Sequence, residues 1–130
     1  SEKMTIAEVS KKYNLTQDTI RYYEKEGLIP KIPRNKNGIR DFDEKSCRWI
    51  EFIKCMRNAG MPVEVLSKYV KLMEKGHDTV KERRQLLINQ KEVLLKKQVD
   101  INNTLDRITK KIEIYDDIVA GKRKDFMEEP

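Results

Sequence analysis

The chain has 130 residues, enough for one compact domain or for one domain with an extended helical appendage. Its formal net charge is +6 and its pI is near 9.3, which favours a polyanionic partner without identifying it. No apolar run approaches the roughly 20 residues that span a bilayer, and no signal peptide is recognisable, so we expect a cytoplasmic protein without a membrane segment. Met4 is expected to be the natural first residue.

The first predicted helix is short. Thr5 is a good N-cap for it, and Ile6, Val9 and Tyr13 fall on one face. Asn14 suits the bend that ends such a helix.

A second short helix is predicted directly after this bend. Thr16 can cap it, Ile20 and Tyr23 fall on its inner side, and Gly27 suits the left-handed residue that closes many helices. Two short helices separated by a tight turn are the minimal signal of a helix-turn-helix. We therefore predict that motif over the first 27 residues.

A basic segment follows. Residues 28–40 include four cations and no acidic residue; the cations are Lys31, Arg34, Lys36 and Arg40. Pro30 and Pro33 exclude a continued helix, and Asn37-Gly38 is typical of hairpin turns. A basic hairpin can follow a phosphate backbone while the adjacent helix enters the major groove. We predict binding to duplex DNA; the alternative is a solvated loop after a helical hairpin.

Three motifs in this region are the most specific in the chain. They are Thr-Ile-Arg-Tyr-Tyr-Glu at 19–24, Gly-Leu-Ile-Pro at 27–30 and Gly-Ile-Arg-Asp-Phe at 38–42. They resemble the MerR family of bacterial transcription regulators, and the resemblance extends from Met4 through the C-terminal part of the chain. It implies a winged helix-turn-helix dimer on a near-palindromic operator between the two core promoter elements. It also implies that the protein bends and untwists promoter DNA, so that RNA polymerase can use a spacer that is too long.

We predict that the exposed side of the second helix reads bases and that the wing holds phosphates. The candidates for base readout are Gln17, Asp18, Thr19, Arg21 and Tyr22, of which Arg21 and Tyr22 belong to the family motif. The candidates for phosphate contact are Arg34, Lys36 and Arg40.

Two more helices are predicted to complete a head at residues 4–76. Asp43 can cap the third, which ends before Gly60, and the fourth begins at Pro62. We interpret the apolar face of the third helix as core rather than as a ligand site; its members are Trp49, Ile50, Phe52, Ile53 and Met56. His77, in the following linker, has no partner histidine, and we expect no enzyme activity.

A long coiled-coil helix is predicted over residues 79–120. Its first four residues, Thr-Val-Lys-Glu, have the pattern of a capping box. Apolar residues then recur at every seventh position: Val80, Leu87, Leu94, Ile101, Ile108 and Tyr115. Forty helical residues would extend about 60 Å, further than the head can cover. We predict a mainly α fold in which this helix forms a homodimer; the alternative is a solvated rod or a helix folded back on its own domain.

The dimer contacts are expected where the seam is most apolar. The residues are Leu94, Ile101, Leu105, Ile108, Ile112 and Tyr115. Resemblance to the family favours antiparallel pairing. Residues 121–130 are predicted to form a flexible tail.

Two cysteines lie in the third predicted helix. Cys47 and Cys55 are eight positions apart, roughly 12 Å along a helix, which is beyond the reach of a disulfide. No cysteine follows Cys55 and the chain has one histidine, so a metal site is poorly supplied with ligands and no cofactor is expected. We interpret Cys47 as a packing residue.

The surroundings of Cys55 resemble the aldehyde- and thiol-stress-responsive branch of the family, the AdhR-like and NmlR-like regulators. This resemblance implies that Cys55 is a sensor thiol. Lys54 and Arg57 favour its thiolate, whereas the nearby end of the helix and Glu51 oppose it. The alternative is a small packed side chain.

The sequence thus predicts a dimeric, sequence-specific transcription regulator that distorts promoter DNA under the control of Cys55. One alternative is the same regulator switched by a small molecule at the junction of head and coiled coil. The other is an architectural coiled-coil protein that binds nucleic acid without sequence choice. A regulator is expected to select a single palindrome, and an architectural protein only a base composition.

Overall fold

The computed structural model describes residues 3–124. Its elements in chain order are α1 (Ile6–Tyr13), α2 (Gln17–Lys25), α3 (Glu44–Asn58), α4 (Val63–Lys75), a 3-10 helix (His77–Thr79) and α5 (Val80–Val119). The predicted fold class is confirmed: a winged helix-turn-helix head precedes a long C-terminal helix. Within residues 3–124, no helix carries an apolar stretch that could cross a bilayer.

The chain divides into two compact units, one ending at Gln90 and the other starting at Lys91. The predicted boundary of the head, residue 76, lies before this division, so the first unit also contains the beginning of α5. In this unit the core is built from α1, α2, α3, α4 and the segment between α2 and α3. Its largest fully buried side chains are Phe42, Ile20, Leu28, Ile29, Ile50, Ile53, Leu66, Val9 and Val70.

The caps of the first helices follow the sequence. At α1, Thr5 and Glu8 form a reciprocal capping box: the Glu8 amide donates to the Thr5 hydroxyl at 3.2 Å, and the Thr5 amide donates to the Glu8 carboxylate at 3.0 Å. Asn14 ends α1 in the left-handed conformation, with φ of 53°. Thr16 caps α2 through the Thr19 amide at 3.0 Å. The predicted helix-turn-helix is therefore present.

The wing is a hairpin with Asn37 and Gly38 in its turn, as predicted, but the turn is not the two-residue type that this dipeptide often forms. A two-residue turn centred on Asn37-Gly38 needs positive φ at both residues, but the positive-φ non-glycine residue within 3–124 is Asn14. Instead, the Gly38 amide donates to the Asn35 carbonyl at 2.9 Å, and Gly38 follows in the left-handed region with φ of 76°. The Asn35 side chain also accepts from the amides of Asn37 and Ile39. Asn35 therefore organises a three-residue loop.

Two bridges set the position of the wing in the head. Arg34 pairs with Arg40 across the hairpin, and Met4 pairs with Phe42 through reciprocal amide-to-carbonyl bonds of 2.9 Å. The hairpin is joined in this way to the segment before α1.

The predicted capping box at the start of α5 does not use its threonine as expected. The Thr79 hydroxyl lies 2.5 Å from the Leu72 carbonyl and 2.8 Å from the Gly76 carbonyl, so it ties the end of α4 to the linker. Arg83 donates to the same hydroxyl at 3.0 Å. Tertiary contacts with α4 thus replace the local cap.

In the second unit, α5 continues to Val119, and none of its side chains is fully buried. The helix end is closed by Gly121, whose φ is 73°, and by the Lys122 amide, which donates to the Asp117 carbonyl at 2.8 Å. Of the predicted tail, residues 125–130 lie outside the described residues.

Candidate nucleic-acid interface

Helix α2 has one face in the core and one face in solvent. Ile20 and Tyr23 are buried, which fixes the roll of the helix on the head. The five predicted base-reading residues lie away from the core. Asp18, Arg21 and Tyr22 are exposed, and Tyr22 has 45% of its surface accessible. An exposed aromatic ring beside an arginine on a short capped helix is suited to contact with a DNA groove.

Three of these residues hydrogen-bond to one another. The Arg21 guanidinium donates to the Asp18 carboxylate at 3.0 Å and to the Gln17 amide oxygen at 3.2 Å. The Asp18 side chain is 96% exposed, so this pair contributes little to stability. A phosphate or base edge could therefore replace these partners of Arg21 with little loss of stability. Thr19 differs, since its hydroxyl lies 2.8 Å from the hydroxyl of the cap residue Thr16.

The three predicted phosphate-binding residues fall into two groups. Lys36 is exposed at the hairpin turn, and Arg34 is exposed while donating to the Gly38 carbonyl at 2.7 Å. Arg40 instead donates from Nε to the Glu24 carboxylate of α2 at 2.7 Å, and its side chain is 25% exposed. The structure therefore brings Arg34 and Lys36 to the surface of the wing and turns Arg40 toward α2.

Glu24 was not among the predicted site residues. It belongs to the Thr-Ile-Arg-Tyr-Tyr-Glu motif, and its spacing of four from the buried Ile20 places it on the inner side of α2. This spacing is the feature of the sequence that could have identified Glu24 as an inward-facing residue. The sequence of the wing contains no acidic residue, but the fold supplies one to it.

Two carboxylates at helix starts have lowered pKa values. The hydroxyl and then the amide of Ser46 hold the pKa of Asp43 below its ordinary value of 3.8, with hydrogen bonds of 2.7 and 2.8 Å. The Thr5 amide and then its hydroxyl lower the pKa of Glu8. Burial raises the pKa of Tyr23, in keeping with its place in the core. These three groups belong to the helix caps and the core of the head, and none of them lies on the exposed face of α2.

The two cysteines have different environments. Cys47 is buried, and its thiol lies 3.9 Å from the sulfur of Met4, whereas Cys55 is exposed on α3. Cys47 thus has the packed environment expected for it. In the single chain, Cys55 is therefore on the surface of the head rather than in its core. Within residues 3–124, no group of three potential metal ligands is assembled.

The apolar face of α3 is only partly core. Ile50 and Ile53 are fully buried, but Trp49 and Phe52 are partly exposed and line a cleft of about 330 Å³ with Tyr69 of α4. The three rings lie 5.9 to 6.2 Å apart. The cations of Lys45 and Arg48 complete the lining, and Arg48 is paired with Glu44 at 3.1 Å.

Comparison with known proteins agrees with this geometry. Residues 4–72, from the segment before α1 to within α4, match the family model described as MerR HTH family regulatory protein. The chain belongs to the MerR family. In this chain the matched region contains α2, the wing and α3.

Three MerR relatives extend the comparison. The transcriptional regulator AdhR of Bacillus subtilis is 49% identical over 92 residues, which cover 71% of this chain and 66%, just under two thirds, of AdhR. A MerR family regulator from Listeria monocytogenes is 40% identical, with a TM-score of 0.86 over 91% of this chain and 89% of that one. HiNmlR, a MerR family regulator lacking the sensor domain, was solved bound to promoter DNA. It is 29% identical, with a TM-score of 0.85 over 91% of this chain and 94% of its own. The predicted relation to the AdhR and NmlR branch is confirmed.

Proposed function

We propose that this protein is a homodimeric transcription regulator that binds promoter DNA, distorts it, and responds to electrophiles or oxidants at Cys55. The observation that carries the proposal is the combination of an exposed α2 face and a basic wing in one compact head. Both elements have their inner sides fixed in the core and their polar sides in solvent. This is the arrangement that a groove-reading helix and a phosphate-holding hairpin require.

The likeness to HiNmlR supports the DNA partner. That protein was crystallised on promoter DNA, and the alignment covers nearly the whole of both chains. In our proposal Gln17, Asp18, Arg21 and Tyr22 face the major groove. Thr19 contributes through the same exposed side, and Arg34 and Lys36 neutralise phosphates.

The exposed seam of α5 supports the homodimer. Ile101, Leu105, Ile108 and Ile112 each expose half or more of their surface, and Tyr115 exposes 55%. An isolated apolar stripe of this length needs a partner, and a heptad repeat is complementary to a second copy of itself. Each isoleucine or leucine contributes roughly 1.5 to 3 kcal/mol when fully buried. Leu94, which is already partly buried, lies on the same stripe.

A dimer explains how one short helix per chain reads an operator. Two recognition helices reach successive major grooves when they are separated by about one DNA turn, roughly 34 Å, or a multiple of it. Changing the disposition of the two heads would then change the twist of the intervening DNA. RNA polymerase would sense the regulator through the promoter, without a direct contact.

The accessibility of Cys55 supports its role as the switch. A thiol must be reachable to react with an aldehyde or an oxidant, and Cys55 is exposed whereas Cys47 is buried. The aromatic cleft at Trp49, Phe52 and Tyr69 favours a second trigger, a non-covalent apolar molecule, in the same class of regulator.

Selection of operators from random duplex DNA tests the proposed function. A regulator is expected to recover one palindrome with two half-sites, and footprinting of the parent protein on its own upstream region should protect that palindrome. Recovery of sequences that share only base composition would identify an architectural protein instead. A promoter reporter assay with and without an aldehyde then tests the switch separately from DNA binding.

A further inference from the structure

Glu24 of α2 holds the wing at two separate points. One carboxylate oxygen, Oε2, accepts from the Ile32 amide at 2.7 Å, and the other, Oε1, accepts from Arg40 Nε at 2.7 Å. The Glu24 side chain is 11% exposed, and Ile32 is buried. Both bonds are therefore largely shielded from water, which strengthens them relative to a surface ion pair.

The two points lie on either side of the hairpin turn. Ile32 precedes the first arm, while Arg40 is on the second arm and bridges to Arg34. A carboxylate that binds the chain both before the first arm and on the second arm restricts rotation of the hairpin relative to α2. Glu24 thus adds a direct link between the wing and α2 to the Met4–Phe42 bridge that joins the hairpin to the segment before α1.

The angle between the wing and α2 sets the distance between the predicted base contacts and phosphate contacts. Arg21 and Tyr22 lie on the same helix as Glu24, and Arg34 and Lys36 lie on the hairpin that Glu24 holds. Base contacts and phosphate contacts fit one duplex only when their separation matches the groove. A wing free to swing would still attract phosphates but would fit no operator better than another.

We propose that Glu24 and Arg40 act as a positioning pair that sets operator specificity, and that Arg40 acts through Glu24 rather than by binding phosphate. This inference rests on the proposed function, because it concerns how the DNA-binding head discriminates between sequences. It assigns to Arg40 a role different from that of Arg34 and Lys36, although all three are wing cations.

The experiment compares four single variants and one double variant of the full-length protein: Glu24→Gln, Arg40→Gln, Arg34→Gln, Glu26→Gln and the double change at 24 and 40. Glu26 is an exposed carboxylate at the end of α2, so Glu26→Gln makes the same charge change as Glu24→Gln without touching the wing. Affinities for the selected operator and for random duplex are measured over a range of salt concentrations.

We expect Glu24→Gln and Arg40→Gln each to lower the operator-to-random affinity ratio by about tenfold, the effect of one lost specific contact. The double variant should be no worse than either single variant, because the two residues act as one unit. Arg40→Gln should leave the salt dependence of random-DNA binding unchanged. Arg34→Gln should reduce that slope by roughly 0.9, the value for one phosphate, and leave the ratio unchanged.

A salt slope that falls equally in Arg40→Gln and Arg34→Gln would overturn the proposal, as would equal affinity ratios for Glu24→Gln and Glu26→Gln. Hydrogen exchange of the Ile32 amide checks the joint itself: in Glu24→Gln it should accelerate while amides of α3 keep their protection. If Glu24→Gln unfolds the head, the salt slopes of Arg40→Gln and Arg34→Gln still test whether Arg40 binds phosphate. A parent protein that shows no operator preference would contradict the proposed function instead.

Discussion

The ammonium group of Lys54 donates a hydrogen bond to the backbone carbonyl of Tyr13, joining α3 to the last residue of α1. The next residue, Asn14, takes the left-handed conformation that turns the chain toward α2. Lys54 therefore supports the turn of the helix-turn-helix from a helix that lies outside it. Its neighbour in sequence is the exposed thiol of Cys55. The proposed sensor is thus adjacent to a residue that holds the DNA-binding motif.

Replacing Lys54 by Met should destabilise the head by about 1 to 2 kcal/mol, because the Tyr13 carbonyl loses a charged donor in a partly buried position. Urea denaturation followed by circular dichroism measures this change. Lys71→Met is the matched control, since Lys71 is an exposed lysine of α4, and it should change stability by less than about 0.5 kcal/mol. Equal effects of the two substitutions would show that the tie to Tyr13 contributes nothing.

Asp43 gives a pH-dependent prediction. Its pKa is lowered from 3.8, chiefly by the Ser46 hydroxyl, so its stabilisation is present above the ordinary pKa and is lost as the pH falls through the lower folded-state value. Asp43→Ala should cost about 1 kcal/mol near neutral pH, the usual worth of an N-cap. The gap between parent and variant, measured by urea titration, should shrink below pH 3.8.

Asp43→Asn is the control for this cap. It keeps a side-chain acceptor without a titrating proton, so its stability difference from Asp43→Ala should stay constant over the same pH range. If the stability difference between the parent and Asp43→Ala is also constant over this pH range, the stabilisation by the cap does not depend on the ionisation of Asp43.

The elements that sequence predicted correctly depend on local chemistry. Thr5, Thr16 and Asp43 each cap a helix through an amide three residues ahead, a contact that requires no distant part of the chain. The seven-residue repeat of α5 is equally local. The single long helix could be read from this spacing because every position lies on one continuous segment, and the seam as a dimer interface stays a prediction.

The features that sequence missed depend on tertiary contacts. Arg40 and Glu24 are 16 positions apart and meet only because the hairpin folds back on α2. Thr79 has the pattern of a cap, but the nearby end of α4 offers carbonyls to its hydroxyl, and this competing contact prevails. The turn type of the wing depends on which residues pair across it, and Asn35 sets that pairing. Composition and spacing do not contain this information.

Arg34 and Lys36 should contribute to DNA binding without sequence choice. Replacing both by Ala should weaken operator and random DNA about equally and reduce the salt slope by roughly 1.8, about 0.9 for each phosphate contact. Fluorescence anisotropy at several salt concentrations measures both quantities. Unchanged salt dependence would show that Arg34 and Lys36 do not contact DNA phosphates.

Ile108→Asp should dissociate the dimer. Ile108 is half exposed on the isolated helix, and in a paired seam an aspartate there would be a buried charge without a partner, which costs several kcal/mol. Sedimentation should then give a monomer, and operator binding should collapse because one head reads only half of the site. Asn103→Asp adds the same charge outside the seam and should remain dimeric. An Ile108→Asp protein that still sediments as a dimer would place the interface elsewhere.

Cys55→Ser tests the switch. Serine keeps the size of the side chain but removes the nucleophile, so the variant should bind the operator with the parent's affinity yet give no response to aldehydes or oxidants in a promoter reporter assay. Cys47→Ser should respond as the parent does, because the buried thiol is shielded from the reagent. Modification of Cys55 adds bulk on α3 at the residue after Lys54, whose ammonium group bonds to the Tyr13 carbonyl. The signal should therefore appear as altered promoter output rather than as lost affinity. A full response from Cys55→Ser would exclude the thiol as sensor and direct the search to the cleft of Trp49, Phe52 and Tyr69.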